Sequence, residues 1–210
     1  MNKLRTLTVL MLAVVALAAT ATARKPKPAK PEDDFFPLRV GDFWTYRNNE
    51  SGGYTLKVLK EEPQEGGAVR YLVERRSEVI IHDTFSKVPG WVLFHGENYP
   101  EQEGLKMDYD PPRQYLPNPL VAGQKWEWAG KDPTQTEHHE NNRVVGFENV
   151  TVPAGKFRAM KVTSEISGGS SMVRTTWYAP GVGLIKSATE AGQIKYGFEL
   201  TDYSFKKKAK

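Results

Sequence analysis

Beyond Phe35, glycine and proline punctuate the chain at short intervals, and the segments between them are rich in Val, Ile, Thr, Tyr, Trp and Phe. β-Branched and aromatic side chains suit a pleated, half-buried surface, while Gly and Pro supply the turns between strands. No window after residue 35 carries an apolar stripe at i, i+3, i+4 and i+7 of helical length. Parallel strands need long crossover connections, usually helices, so a doubly wound α/β fold has nothing to build with. The expected fold is all-β: a strongly curved antiparallel sheet, or an open or half barrel, with little helix in the body.

Strands are expected over 42–47, 54–60, 69–76, 78–85, 91–95, 106–110, 125–128, 143–152, 156–166, 172–178, 184–189 and 195–205. Period-2 alternation places Tyr54, Leu56 and Val58 on one face of their strand, and Val173, Thr175 and Trp177 on one face of theirs. In the last strand Tyr196, Phe198 and Leu200 keep one phase and Tyr203 and Phe205 the other, which requires a β-bulge near Thr201-Asp202.

The ends of the chain have a different character. MNKLRTLTVLMLAVVALAATATA has basic residues, a short apolar run and a small-residue exit, the pattern of a secretory signal peptide over 1–23. Its strongly apolar part, Leu7 to Leu17, is too short to cross ~30 Å of hydrocarbon as a helix. Of 210 residues, 187 follow Ala23, enough for one domain with its own core. Residues 24–34 alternate proline with lysine and alanine and read as an extended linker. The formal charge of +4 comes from the ends, because Lys206, Lys207, Lys208 and Lys210 form a basic tail over 206–210. Between Phe35 and Phe205 there are 19 basic and 22 acidic residues, a net of −3, so no cationic face for nucleic acid is expected.

The chain has no cysteine. Disulfides, thiolate metal sites, a cysteine nucleophile and a lipidated cysteine are thereby excluded, and a cysteine-free exported chain suits a bacterial periplasm or exterior.

The phrase PLRVGDFWTY, Pro37–Tyr46, returns 82 positions later as PLVAGQKWEW, Pro119–Trp128. Gly67-Ala68-Val69-Arg70 is echoed by Gly155-Lys156-Phe157-Arg158, and Val88-Pro89-Gly90 by Ala179-Pro180-Gly181. A preserved order with a slowly growing offset is what a duplicated unit with loop insertions leaves behind. One β domain over 35–205 is therefore expected, with repeat halves at about 36–98 and 118–190. Residues 99–117 join them, and their prolines argue against a central strand. In each phrase glycine permits positive φ and two aromatics spaced by two share a face. They form either a core lock or the lining of a cleft.

The stretches VTVPAGKFRAMKV (Val150–Val162) and TWYAPGVGLIK (Thr176–Lys186) resemble the signature of uncharacterised bacterial cell-envelope proteins related to the domain of unknown function 3108 family, whose opening phrase is similar to Pro37–Tyr46. The resemblance implies a secreted or periplasmic β-rich protein, and no catalytic residue comes with it.

Familiar chemistry is sparse. There is no G-x-S-x-G elbow, no H-E-x-x-H and no phosphate loop. His138-His139 sits in a polar run read as a loop, and neighbours on an extended chain point apart, which suits a metal poorly. Glu97, Glu101, Glu103, Asp108 and Asp110 crowd the connector and could serve hydrolysis or hold calcium. The expectation is an exported, non-enzymatic β protein without catalytic residues, metal or cofactor, binding a hydrophobic ligand, lipid or envelope partner. Trp44, Tyr46, Trp126, Trp128 and Trp177 are the candidate ligand-contacting aromatics. The alternatives are a structural or assembly protein of the envelope, and an envelope hydrolase or calcium-binding protein using residues 97–110.

Overall fold

A computed structural model of the chain describes residues 34–48 and 52–205. The expected signal peptide, residues 24–33 of the linker and the basic tail lie outside them. Twelve strands follow in order: β1 (Phe43–Asn48), β2 (Gly53–Pro63), β3 (Val69–Arg76), β4 (Ile80–Val88), β5 (Trp91–Asn98), β6 (Lys106–Pro117), β7 (Lys125–Lys131), β8 (Glu137–Val152), β9 (Gly155–Ser167), β10 (Met172–Ala179), β11 (Gly183–Ala191) and β12 (Ile194–Tyr203). The helical content among the described residues is one 3-10 turn at Glu65–Gly67.

Each strand hydrogen-bonds to the next, and β12 returns to β1, so the sheet closes into an up-and-down barrel rather than remaining open. Closure runs from Trp44↔Tyr203 to Asn48↔Phe198 and, among the described residues, leaves no long edge strand to aggregate. The bulge read in the last strand is present: Thr45 faces Asp202 while Tyr46 faces Leu200, and the extra residue, Thr201, bonds its hydroxyl to the Thr45 carbonyl at 3.0 Å.

Three expectations change. The strand expected to stop at Asp110 continues through Pro111-Pro112 to Pro117. Proline cannot donate to a ladder, but these prolines lie where β6 is irregular against β5, between Asp108 and Arg113, and where a single register pair, Asp110↔Lys131, joins β6 to β7. Second, β8 begins at Glu137, so His138 and His139 belong to a strand, not a loop. Third, β10 turns the face opposite to the one its apolar alternation suggested: Val173 is 47% exposed, whereas Thr176 and Tyr178 are buried. Arg174 shares their inward phase.

The two copies of the repeated phrase have matching local structure. Gly41 and Gly123 take φ of 92° and 82°, a region closed to most side chains by sterics. Their amides donate to Val58 and Val144 carbonyls at 2.9 Å, and Asp42 and Gln124 accept from the Val58 and Val144 amides at 2.9 Å. Both valines are fully buried.

The segment before β1 lies across one end of the barrel. The Phe35 amide donates to Asn118 Oδ1 at 2.9 Å, Lys87 Nζ meets Asp34 Oδ2 at 2.8 Å, and the Gly181 amide donates to the Asp34 carbonyl at 2.7 Å. Phe35 and Leu38 join the apolar core behind this seal.

Candidate functional site: an interior cavity

Behind that seal the barrel is not filled. A cavity of about 620 Å³ occupies the interior and reaches Asn48, Gly53 and Ser77 at the β1–β2 and β3–β4 hairpins, the end opposite the sealed one. Ligand sites for small molecules span roughly 300–1,000 Å³ and combine apolar walls with few polar groups.

The inner wall is aromatic. Phe36 packs against Phe85 and Tyr115 with ring centroids 5.2 and 5.4 Å apart, and Phe94 meets Phe85 at 5.0 Å. Tyr46 stacks on Tyr54 at 4.9 Å, and Tyr54 stands edge-on to Phe198 at 4.9 Å. These rings are held rather than loose, because their strands present them on one pleat phase and each ring braces the next.

Charge enters the cavity from three arginines. Arg75 on β3 bonds both Asp83 oxygens at 3.1 Å and reaches Glu97 at 2.7 Å. The Tyr99 hydroxyl donates to the other Glu97 oxygen at 2.8 Å. Arg113 on β6 pairs with buried Glu140 on β8 at 2.5 Å and lies over the Tyr115 ring. Arg174 on β10 lines the cavity beside Thr176 and, among the described residues, makes no ion pair with a carboxylate. Burial raises the Tyr54 hydroxyl, and the nearby Arg174 and Arg75 charges pull it back.

Burial likewise pushes Asp83 up to about 6 against the pull of the Arg75 hydrogen bond. An unfolded aspartate titrates near 3.9, so between about pH 4 and pH 6 the folded state holds a proton that the unfolded state has released. Asp83 therefore makes stability fall as pH rises through that window and level off above it. Urea melts at pH 4, 5, 6 and 7 should show this component in the wild type, and Asp83→Asn should remove it.

The five aromatics singled out in the sequence are dispersed. Trp44 and Tyr46 line the cavity and are also locked to the scaffold: the Trp44 indole N–H donates to the Val182 carbonyl at 2.7 Å, and the Tyr46 hydroxyl to the Leu184 carbonyl at 2.8 Å. Trp126 is buried beyond the cavity, its N–H on the Gln114 carbonyl at 2.9 Å. Trp128 is buried edge-on to Tyr109 at 5.6 Å, outside the cavity lining. Trp177 faces outward between Lys161 and Lys186, with its N–H on Glu148. Tyr109 and Tyr115, which flank the acidic connector and could stack on a sugar ring, do line the cavity, whereas Tyr54, Phe85, Phe94 and Phe198, and all three arginines, were not among the candidate residues. A phase count would have found some of them, since Val73 and Arg75 share a strand face, as do Arg174, Thr176 and Tyr178.

The acidic connector does not converge. Glu97 turns inward to Arg75, Asp108 pairs with Lys106 outside the cavity, and Glu101 and Glu103 are exposed. Among the described residues no group of three or more metal-ligating side chains comes together. His138 bonds Asp132 at 3.0 Å, and His95 meets Ser86 at 2.6 Å, but Ser86 is buried and its hydroxyl is not presented to a substrate.

The Pro-Gly turn of TWYAPGVGLIK is the piece that receives both anchors of β1, Val182 and Leu184, and Asp34 of the seal bonds its glycine. That turn and the strands around it carry the family likeness. Residues 97–192 match the DUF3108-like family. The resemblance read from Val150–Val162 and Thr176–Lys186 thus holds over β6 to β11, while the opening phrase at Pro37 falls outside the DUF3108-like segment. No curated protein matches the chain. Two crystal structures share the fold: a "putative lipoprotein" from Parabacteroides distasonis (TM-score 0.50, 15% identity, covering 81% of this chain and 98% of that one), and a "putative exported protein with YmcC-like fold" from Bacteroides fragilis (TM-score 0.51, 14% identity, covering 81% and 99%). Among the described residues no helix is long and apolar enough to cross a membrane.

Proposed function

We propose that this chain is an exported binding barrel of the bacterial envelope that holds a small, largely apolar molecule in its interior, without catalysing a reaction on it. The observation that carries the reading is the aromatic cavity of about 620 Å³, sealed at one end and reaching the hairpins at the other. A barrel kept only as a structural element would gain stability by filling that space, since voids forfeit dispersion contacts. Export is supported by the signal-like leader, and the fold neighbours named as an exported protein and a lipoprotein agree with it. The absence of cysteine favours a form without a lipid anchor. The matched turns at Gly41 and Gly123 support an origin of the barrel in two six-stranded halves, with β1 to β6 echoed by β7 to β12.

Titration with the neutral fluorophore N-phenyl-1-naphthylamine tests the reading. Saturable one-to-one binding is expected in the wild type, and Leu56→Trp, which fills the cavity from β2, should weaken it at least tenfold. Equal binding by both proteins would place the probe elsewhere and count against an interior site.

A further inference from the structure

We infer that the ligand of this cavity carries an anionic head group, a carboxylate or a phosphate monoester, received by Arg174 while its apolar body lies on the aromatic wall. The inference rests on the cavity reading and adds the chemical class of the ligand.

The three interior guanidiniums are not alike. Arg75 is held by Asp83 and Glu97, and Arg113 by Glu140. Among the described residues Arg174 has no carboxylate within ion-pair distance, although it lines the same cavity. A guanidinium in a partly dry site retains five donors in a planar fork, which matches a carboxylate or a phosphate in a bidentate geometry. An unpaired one placed there is costly unless a partner arrives.

The groups around Arg174 complete an anion seat. Thr189 lies directly across from it on β11, Thr176 follows on its own strand in the same phase, and Ser187 pairs with Thr176, so three hydroxyl-bearing residues neighbour Arg174 on the cavity wall. Tyr54 projects from β2 within reach of the Arg174 charge. The opposite wall differs. Arg75 serves two carboxylates, bonding both Asp83 oxygens and one Glu97 oxygen, and the other Glu97 oxygen accepts from Tyr99. Neither carboxylate is left to demand a cation from the ligand. Polar groups gather toward the hairpin end, where Asn48, Ser77 and Tyr196 also line the cavity together with Phe198, while Phe36, Phe85 and Phe94 lie toward the seal. That polarity suits an amphiphile entering tail first with its head at the mouth.

The test compares dodecanoate, dodecyl phosphate and dodecanol by calorimetry on the wild type and on Arg174→Gln, with Arg174→Lys as a charge-retaining control. Binding of at least one of the two anions tighter than dodecanol by tenfold or more is expected in the wild type. That preference should vanish in Arg174→Gln, persist in part in Arg174→Lys, and leave dodecanol affinity unchanged in all three proteins. The stronger of the two anions identifies the head group. Arg174 is partly buried but makes no ion pair among the described residues, so both variants should melt near the wild-type temperature, and thermal melts check that each is folded. If dodecanol and the anions bind equally well, and Arg174→Gln changes neither, the anionic-head inference is wrong while the cavity reading stands. If none of the three binds, both fall.

Discussion

Trp44→Ala should lower the melting temperature on the order of 10 °C or more, and should abolish ligand binding only as a consequence of the loosened wall. Trp44 is 4% exposed, packs edge-on to Phe205 at 5.6 Å and bonds the Val182 carbonyl. Truncating a buried tryptophan costs about 3–5 kcal/mol. The abandoned carbonyl adds about 1 kcal/mol or more, and a barrel of this size loses ~2–4 °C per kcal/mol. Trp44→Phe separates the two contributions, because it keeps ring packing and loses only the N–H donor. Differential scanning calorimetry of both variants checks this. A wild-type melting temperature for Trp44→Ala would mean that the indole is ligand-facing and not part of the closure.

The second large effect concerns charge. Glu140→Ala should destabilise the barrel by about 3–5 kcal/mol, because it leaves the Arg113 guanidinium uncompensated with its side chain only 13% exposed. Replacing both partners, Arg113→Met with Glu140→Leu, should return stability to near or above wild type, since an apolar pair avoids the desolvation cost of two ions. Chemical denaturation of the single and double variants reads this directly. A mild effect of Glu140→Ala would show that cavity water solvates Arg113, and that the pair is a ligand contact instead of a strut.

Much of the architecture was legible in the sequence because turn chemistry is local. Gly or Pro marks every strand connection except Ser77–Val79 between β3 and β4, and the phase change between Leu200 and Tyr203 marked the Thr201 bulge because a slip of one residue swaps faces. Closure was not legible. It depends on β12 meeting β1 across the length of the chain, and no local residue pattern encodes that pairing. The face of β10 was misread because alternation marks two faces without saying which is inward. There Arg174 and Thr176 look inward because the interior is partly polar. The inner continuation of β6 was missed because Pro111 and Pro112 are read as strand breakers, yet a thin seam against β7 asks little of their missing N–H groups.

The candidate site was less legible than the fold. Of the aromatics chosen from the repeated phrase, Trp44 and Tyr46 reach the cavity and Trp126 and Trp128 do not. The two phrases are alike in turn geometry, but Trp126 and Trp128 sit where Arg113, Glu140 and Tyr109 fill the space on their side. A repeated sequence thus supplies a repeated scaffold and a one-sided cavity.

Native mass spectrometry of the protein purified from its own host tests the central claim most directly. A bound small molecule is expected at one equivalent on the folded wild type and absent from Leu56→Trp prepared in parallel. A bare wild-type mass under conditions that preserve the fold, or the same adduct on both proteins, would contradict an interior that exists to be occupied.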